Sequence, residues 1–363
     1  MIVKTIFFDS LVKRLNIRLK PKVLQIPITS RCNSKCKTCN VWKHTEHVDI
    51  DYINLRIAFQ DPFFDQVKYV GLNGGEITLI KEWKSIIDTV LTLKKIKSIH
   101  VISNGLLTDK LLHILSETKI MCKNRNVRLE FTLSVDGVGS IHDNIRGIPK
   151  AFTRVHYLLD EISATPGIYC DQMVIGCTIS QYNIPYIREI EYFFSQYPFN
   201  IEFHLAVPNK RIYTFEDYEN YYVLSNERTR LLAAEFFYYK SKDAKRLMEK
   251  IKYFSIYYFL KNKGKGRLCQ CNYLNRDVTI DESLNLSLCA TASDIAGSLI
   301  DTTATELKKK RILTKLAKNN AQYCNTCIHY SAIPTIKGIL IYIVDNIYTK
   351  FCWNNKFKYL VKW

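Results

Sequence analysis

Val23-Leu24-Gln25-Ile26-Pro27-Ile28-Thr29-Ser30-Arg31-Cys32-Asn33-Ser34-Lys35-Cys36-Lys37-Thr38-Cys39 decides how this chain is read. Its first seven residues, VLQIPIT, are apolar and rich in β-formers, so they read as a strand. The loop that follows carries three cysteines spaced C-x3-C-x2-C. Three thiolates on so short a loop wrap one corner of a cubane cluster. A fully ligated [4Fe-4S] cluster takes four cysteines, so three leave one iron open to a substrate or cofactor. Zinc is the competing reading, with His44 or His47 as a fourth ligand.

Outward from this loop, apolar runs at period two alternate with helical stretches. Strands are expected at Tyr69–Leu72, Ser98–Ser103, Arg128–Val135, Gln172–Ile179 and Ile201–Val207. Helices are expected at Trp83–Lys94, Asp109–Glu117, Phe152–Ile162 and Pro185–Gln196. Strands separated by helices imply a parallel sheet, and six such units make an α/β fold with an open or partial (β/α)6 TIM-like barrel. Ligands of such sheets bind at the C-terminal strand ends. Residues 1–22 read as a basic leader, 23–210 as the barrel, and 211–265 as a helical connector. Residues 266–330 read as a small cysteine-rich domain and 331–363 as an apolar, basic tail.

Motifs fall at those strand ends. Gly74-Gly75-Glu76 follows the second strand, and its glycines let backbone approach a ligand while its carboxylate can accept from an ammonium group. Ser103-Asn104-Gly105 ends the third strand. Ser134-Val135-Asp136-Gly137 ends the fourth and is followed by His142-Asp143-Asn144-Ile145-Arg146-Gly147.

Together these motifs resemble the radical S-adenosylmethionine (SAM) superfamily. The resemblance implies a [4Fe-4S] cluster on Cys32, Cys36 and Cys39, whose open iron chelates SAM. Gly74, Gly75 and Glu76 would then hold the methionyl amino group. Asn104 would lie in the family's (S/T)NG turn, Ser134 and Asp136 near the ribose, and Arg146 on the SAM carboxylate, for which a guanidinium is a bidentate partner. Thr38 stands where the family often has an aromatic beside the adenine, and Trp42 is the candidate to replace it.

Cys269 and Cys271 precede a strand-like run at Asp277–Asp281, Cys289 follows a hairpin at Ser283–Ser287, and Cys324 and Cys327 close the set. Counted from Cys271, the spacing C-x17-C-x34-C-x2-C resembles the twitch domain, the shortened SPASM module. That implies an auxiliary [4Fe-4S] cluster on Cys271, Cys289, Cys324 and Cys327. Cys269 remains an alternative to Cys271, and structural zinc an alternative to iron. Cys122, Cys170 and Cys177 read as isolated cysteines.

A closed auxiliary cluster suits electron removal. The resemblance therefore leads to dehydrogenation of a small molecule such as a sugar or cyclitol, as in 2-deoxy-scyllo-inosamine dehydrogenase-type enzymes. The shortened cysteine set and a leader too short for a peptide-recognition domain point the same way. Peptide crosslinking or epimerisation is the alternative, and a non-catalytic iron–sulfur redox or sensing protein a third. The resemblance also implies a flavodoxin- or ferredoxin-type electron donor. The substrate base is unassigned, with Glu202 and His204 on one face of a strand as candidates.

Clustered cysteines without an export signal suit the cytoplasm, peripheral to the membrane's inner face if the tail docks there. The net charge of +18 is spread along the chain without a nucleic-acid-binding signature, so no nucleic acid partner is expected. The tail segment Thr335–Trp353 is too broken by charge to span a bilayer. As a helix it packs its apolar face on the protein or docks to an anionic membrane.

Overall fold

The computed structural model describes residues 18–214, 217–329 and 334–352. Most of the leader and the end of the tail therefore lie outside the described residues. The barrel runs β1 (Val23–Pro27), α1 (Tyr52–Ala58), β2 (Tyr69–Asn73), α2 (Trp83–Val90), β3 (Ser98–Ser103), α3 (Thr108–Asn124), β4 (Arg128–Ser134), α4 (Ser140–Arg146), α5 (Ala151–Ala164), β5 (Gln172–Ile179), α6 (Ile187–Phe194) and β6 (Asn200–Leu205). After it come α7 (Glu227–Asp243), α8 (Leu247–Lys261), α9 (Asn272–Asn275), β7 (Val278–Ile280), β8 (Asn285–Ser287), β9 (Ile295–Ser298), α10 (Ala304–Lys309), α11 (Ile312–Cys324) and α12 (Ile336–Cys352).

The alternation in β4 shows why these strands form. Leu129, Phe131 and Leu133 are fully buried and share one cluster with Leu111 and Leu115 of α3 and Val155 and Leu158 of α5. Burying each such side chain contributes about 1.5–3 kcal/mol. The intervening residues face the barrel lumen, which is polar. There Asn73 Nδ2 donates to Gln25 Oε1 at 3.2 Å, and the His100 ring lies 2.8 Å from the Thr132 hydroxyl. His100 on β3 also feels Glu202 and His204 on β6, as a curved sheet brings distant strands to face one lumen.

The nine strands among the described residues form one sheet, ordered β6-β5-β4-β3-β2-β1-β7-β8-β9. β1 to β6 are parallel, β7 is parallel to β1, and β8 and β9 run antiparallel. The expected strand at Asp277–Asp281 is thus not the start of a separate sheet. It joins the barrel, with Val278 opposite Leu24 and Thr279 opposite Gln25. A three-residue strand buried throughout gains its ladder by extending an existing sheet. The leader joins in here. The Arg18 guanidinium donates to the carbonyls of Tyr273, Leu274 and Asp277 at 2.7–3.1 Å. The helical connector expected at 211–265 carries α7 and α8, packed on each other.

Candidate active site

The cysteine loop leaves the C-terminal end of β1 and is clamped from two sides. Gly75 N donates to Thr29 O and Glu76 N to Arg31 O, both at 2.7 Å, so the turn after β2 lies directly on the loop. Gly74 sits at φ +139°, where L side chains are strained, and a Cβ on Gly75 would collide with the Arg31 carbonyl. The glycines expected to admit a ligand thus admit the cysteine loop itself. On the other side, Lys35 N and Lys37 N donate to Arg146 O and Ile145 O at 2.9 Å, and the Ser34 hydroxyl reaches Arg146 O at 3.0 Å. Arg31 pairs with Asp49, which also accepts from the Thr29 hydroxyl at 2.7 Å.

Glu76 is buried and knits the turns after β2 and β3 together. Its Oε1 accepts from Thr78 N (3.1 Å), the Thr78 hydroxyl (2.9 Å) and the Ser103 hydroxyl (2.8 Å), and its Oε2 from Asn104 N (2.8 Å). Burial raises its pKa, against these donors. The carboxylate expected to receive an ammonium group accepts these four hydrogen bonds from the protein. Asn104 Nδ2 donates to Asn33 Oδ1 at 2.8 Å and stands 4.0 Å from Cys32 Sγ, so this side chain belongs to the loop's surroundings.

Arg146 and Asp136 come together at 2.8 Å, both nearly enclosed. The other Asp136 oxygen accepts from Thr178 N at 2.9 Å. Asp136 therefore orients the guanidinium, where the resemblance led to the ribose. Arg146 Nη1 lies 3.7 Å from Cys36 Sγ, and its Nε is buried without a partner. His142 accepts from Asp136 N through Nδ1 at 3.1 Å, and burial holds its pKa well below the usual imidazole value. Ser134 is half-buried at the end of β4. Trp42 donates to Cys36 O at 3.3 Å, folding its indole onto the loop.

Burial pushes the Cys32 thiol up to about 12 and the Cys39 thiol up to about 11. Both carry protons that a metal must displace. Amides already point at them, Ser34 N to Cys32 Sγ at 3.5 Å and Val41 N to Cys39.

Cys271, Cys289, Cys324 and Cys327 line one cavity together with Arg267 and Asn320. They arrive from before α9, after β8, the end of α11 and just beyond it. Cys269 is not among them. It is buried beside Ser255 and forms a β-bridge with Pro334. Burial pushes Cys271 up to about 11 and Cys324 up to about 12. Cys289 receives three successive amides, of Thr291, Ala292 and Ser293. Arg267 ties the ring shut, donating to Cys269 O at 2.6 Å and Cys327 O at 2.8 Å. Asn320 Nδ2 and Thr291 Oγ1 line the same cavity and are buried without partners. Among the described residues, no three Cys, His, Asp or Glu side chains converge as a single metal ion requires. The four cysteines ring a space instead.

One segment missed by the sequence reading joins the two cysteine sites. Asn40, next to Cys39, donates to Ile212 O at 3.1 Å and through its side chain to Tyr213 O at 2.7 Å. Lys210 N and Arg211 N donate to Thr291 O and Ala290 O, beside Cys289, at 2.9 and 3.3 Å. Arg211 faces Glu282 at 3.5 Å and helps lower the Cys39 pKa against burial, and its Nε is buried without a partner. Its place just after β6, a barrel strand end, was the available signal.

Glu202 and His204 do share one face, 3.5 Å apart, and Lys252 also lies 3.5 Å from Glu202. The His204 hydrogen bond, with Lys252 helping against burial, holds Glu202 down to about 2. His204 lines a cavity of about 320 Å³ with Gln25, Lys252, Asn272 and His329. That cavity reaches Val23, at the opposite end of β1 from the first cysteine loop.

No family model matches the chain, and no curated protein matches its sequence. Solved structures do. A structure described as native anSMEcpe with bound AdoMet and Cp18Cys peptide aligns at TM-score 0.58 and 16% identity, covering 91% of this chain and 98% of that one. Streptococcus suis SuiB bound to S-adenosylmethionine aligns at TM-score 0.60 and 14% identity, covering 92% and 77%. SuiB bound to precursor peptide SuiA aligns at TM-score 0.58 and 14% identity, covering 92% and 75%. What these likenesses show is the fold, the α/β partial barrel of radical SAM structures.

Proposed function

We propose that this chain is a radical SAM enzyme that modifies a peptide. The observation that carries the reading is the C-x3-C-x2-C loop, clamped at the end of β1 beside a buried guanidinium whose Nε has no protein partner. Cys32, Cys36 and Cys39 supply three thiolates to a [4Fe-4S] cluster, and Arg146, oriented by Asp136, has an unused donor for the SAM carboxylate. When bound, a reduced cluster and SAM would supply the means to abstract a hydrogen atom from the substrate. Glu76 acts through the protein, fixing the turns after β2 and β3 against each other.

The ring of Cys271, Cys289, Cys324 and Cys327 suits a closed auxiliary [4Fe-4S] cluster. The donor set fits, and Asn320 and Thr291, whose Nδ2 and Oγ1 have no protein partner, line the space a cluster would fill. A peptide substrate is favoured over the small molecule first expected, because the similar structures span nearly the whole chain and two of them hold peptides. The shortened cysteine set favours a small molecule.

The test is anaerobic reconstitution with iron and sulfide, then a strong reductant and SAM. Release of 5'-deoxyadenosine is expected, and its absence from iron-loaded protein would remove the radical SAM reading. For the substrate, a short peptide encoded beside this chain should lose hydrogens or change configuration on incubation. An unaltered peptide alongside an oxidised sugar or cyclitol would restore the small-molecule reading.

A further inference from the structure

α12 is amphipathic in the reverse sense of an ordinary surface helix. Five of its large apolar side chains are exposed. Ile336 is 53% exposed, Leu340 57%, Ile343 46%, Val344 64% and Ile347 52%. At three- and four-residue spacing these five form one continuous stripe. The inward face is held by smaller or polar contacts. A Cβ on Gly338 would collide with the Leu268 carbonyl, so the helix backbone packs tightly there. Thr335 donates to Leu268 O through its amide (2.9 Å) and hydroxyl (3.0 Å). Tyr342 meets the Phe254 ring edge-on at 5.1 Å, and Lys242 donates to Asn346 at 2.6 Å. The apolar row is therefore not left outside for want of an anchor. The helix is fixed by its other side and presents the row outward.

The charge around the row says what covers it. Lys337 is exposed beside its start. From Asn346 to the end of the sequence there is no acidic residue, while Lys350, Lys356, Lys358 and Lys362 are interleaved with Trp353, Phe357, Tyr359 and Trp363. Lysines and amphipathic aromatics in alternation are what the headgroup region of a bilayer accommodates, the rings at the boundary and the ammonium groups on phosphates. The whole chain carries +18. No helix among the described residues is long and apolar enough to cross a membrane, so any contact lies in the plane of the surface.

We propose that α12 docks this protein on an anionic lipid surface, lying in the bilayer plane with Ile336, Leu340, Ile343, Val344 and Ile347 among the acyl chains. This inference stands apart from the chemistry proposed above, because none of its residues touches either cysteine site.

The experiment uses the full chain and sedimentation with vesicles, one set of pure phosphatidylcholine and one containing phosphatidylglycerol. The protein is expected to pellet with the anionic vesicles, to pellet much less with neutral ones, and to be released by high salt. Leu340→Glu with Val344→Glu should cut the bound fraction on the order of tenfold or more, because it places charge in the acyl region. The melting temperature should stay unchanged, since both residues are exposed. Ile343→Ser with Val344→Ser carries the same test if the glutamates unfold the chain. Full-length protein that never pellets with anionic vesicles overturns the proposal. So does equal pelleting of a folded double variant. A wild-type dimer that the same substitutions turn into a monomer, without vesicle binding, would show that a second copy covers the row and would overturn it as well.

Discussion

Cys32, Cys36 and Cys39 come from one short loop, whereas Cys271, Cys289, Cys324 and Cys327 are gathered from around two helices and a hairpin. The first site is held by backbone, with amides and carbonyls of the turn after β2 and the end of α4 gripping the loop on both sides. The second is held by tertiary packing and by the Arg267 guanidinium bonded across its rim. A local site keeps its shape whether or not it holds metal, while a dispersed one depends on the metal to cross-link its segments. The difference also suits two kinds of chemistry, an iron left open by a three-thiolate loop and a cluster closed by four.

Metal content should break or sharpen this comparison most. Reconstituted protein should hold about eight irons, two cubanes of four. Replacing the first three cysteines by alanine should leave about four and change the melting temperature little. Replacing the second four should also leave about four, but lower the melting temperature clearly, because distant segments lose their cross-link. Equal thermal effects at the two sites would remove the distinction, and zinc in place of iron at the second would remove the auxiliary cluster.

Gly75→Ala tests the backbone clamp. The new methyl meets backbone, not a flexible side chain, so the loop must move. Iron and the SAM-dependent signal of the first site should be lost while the second keeps its cluster. An intact first cluster would show that the clamp is dispensable.

Next in size is Arg146→Ala. Losing a charged hydrogen bond costs about 1.5–3 kcal/mol, on the order of ten- to a hundredfold in SAM affinity. Unchanged affinity by calorimetry would free Arg146 for another role.

Asn320→Leu probes the second site more gently. Asn320 lines the cavity, so losing its donor should disfavour the more negative, reduced state of a cluster held there. The auxiliary midpoint potential should fall by roughly 60 mV, the one-electron equivalent of a hydrogen bond of about 1.4 kcal/mol. The first cluster's potential should not move. Potentiometric titration followed by electron paramagnetic resonance reads both.

The smallest effect expected is in the pH dependence of stability. Burial holds His100 and His142 below the usual imidazole range. In the unfolded chain both titrate near about 6.5, so on acidification the unfolded state takes up protons first. Their contribution is complete above that pH and declines as pH falls below it toward their folded values. Thermal melts between pH 8 and 5.5 should show the decline, and His100→Gln should flatten it. An unchanged slope in that variant would take His100 out of the account.

The barrel was legible because its signals are local. Period-two alternation in Arg128–Ser134 and Gln172–Ile179 marks strands, and cysteine spacing marks a loop. The partners of Glu76 were not legible, because Thr78, Ser103 and Asn104 meet it only once two strands are paired. The choice between Cys269 and Cys271 was open in sequence, since both lie within reach of the hairpin. Only the packing of Cys269 against Ser255 and Pro334 separates them. Arg211 had no motif around it, and its bridging place depends on hydrogen bonds to segments far away in the chain. For α12, spacing revealed an apolar stripe but could not say which way it faced. That is fixed by Gly338 and Tyr342 on the opposite side.

The pairing of β7 with β1 limits how this molecule can be cut. A fragment ending after α8 would keep every barrel strand and the first cysteine loop, and it would look like a self-sufficient module. It would also leave β1 as a bare edge on the side where β7 now pairs with it, open to any passing strand. Such a fragment should aggregate, so the C-terminal part also keeps the barrel soluble. Module swaps between proteins of this architecture would need to carry β7 along with the barrel.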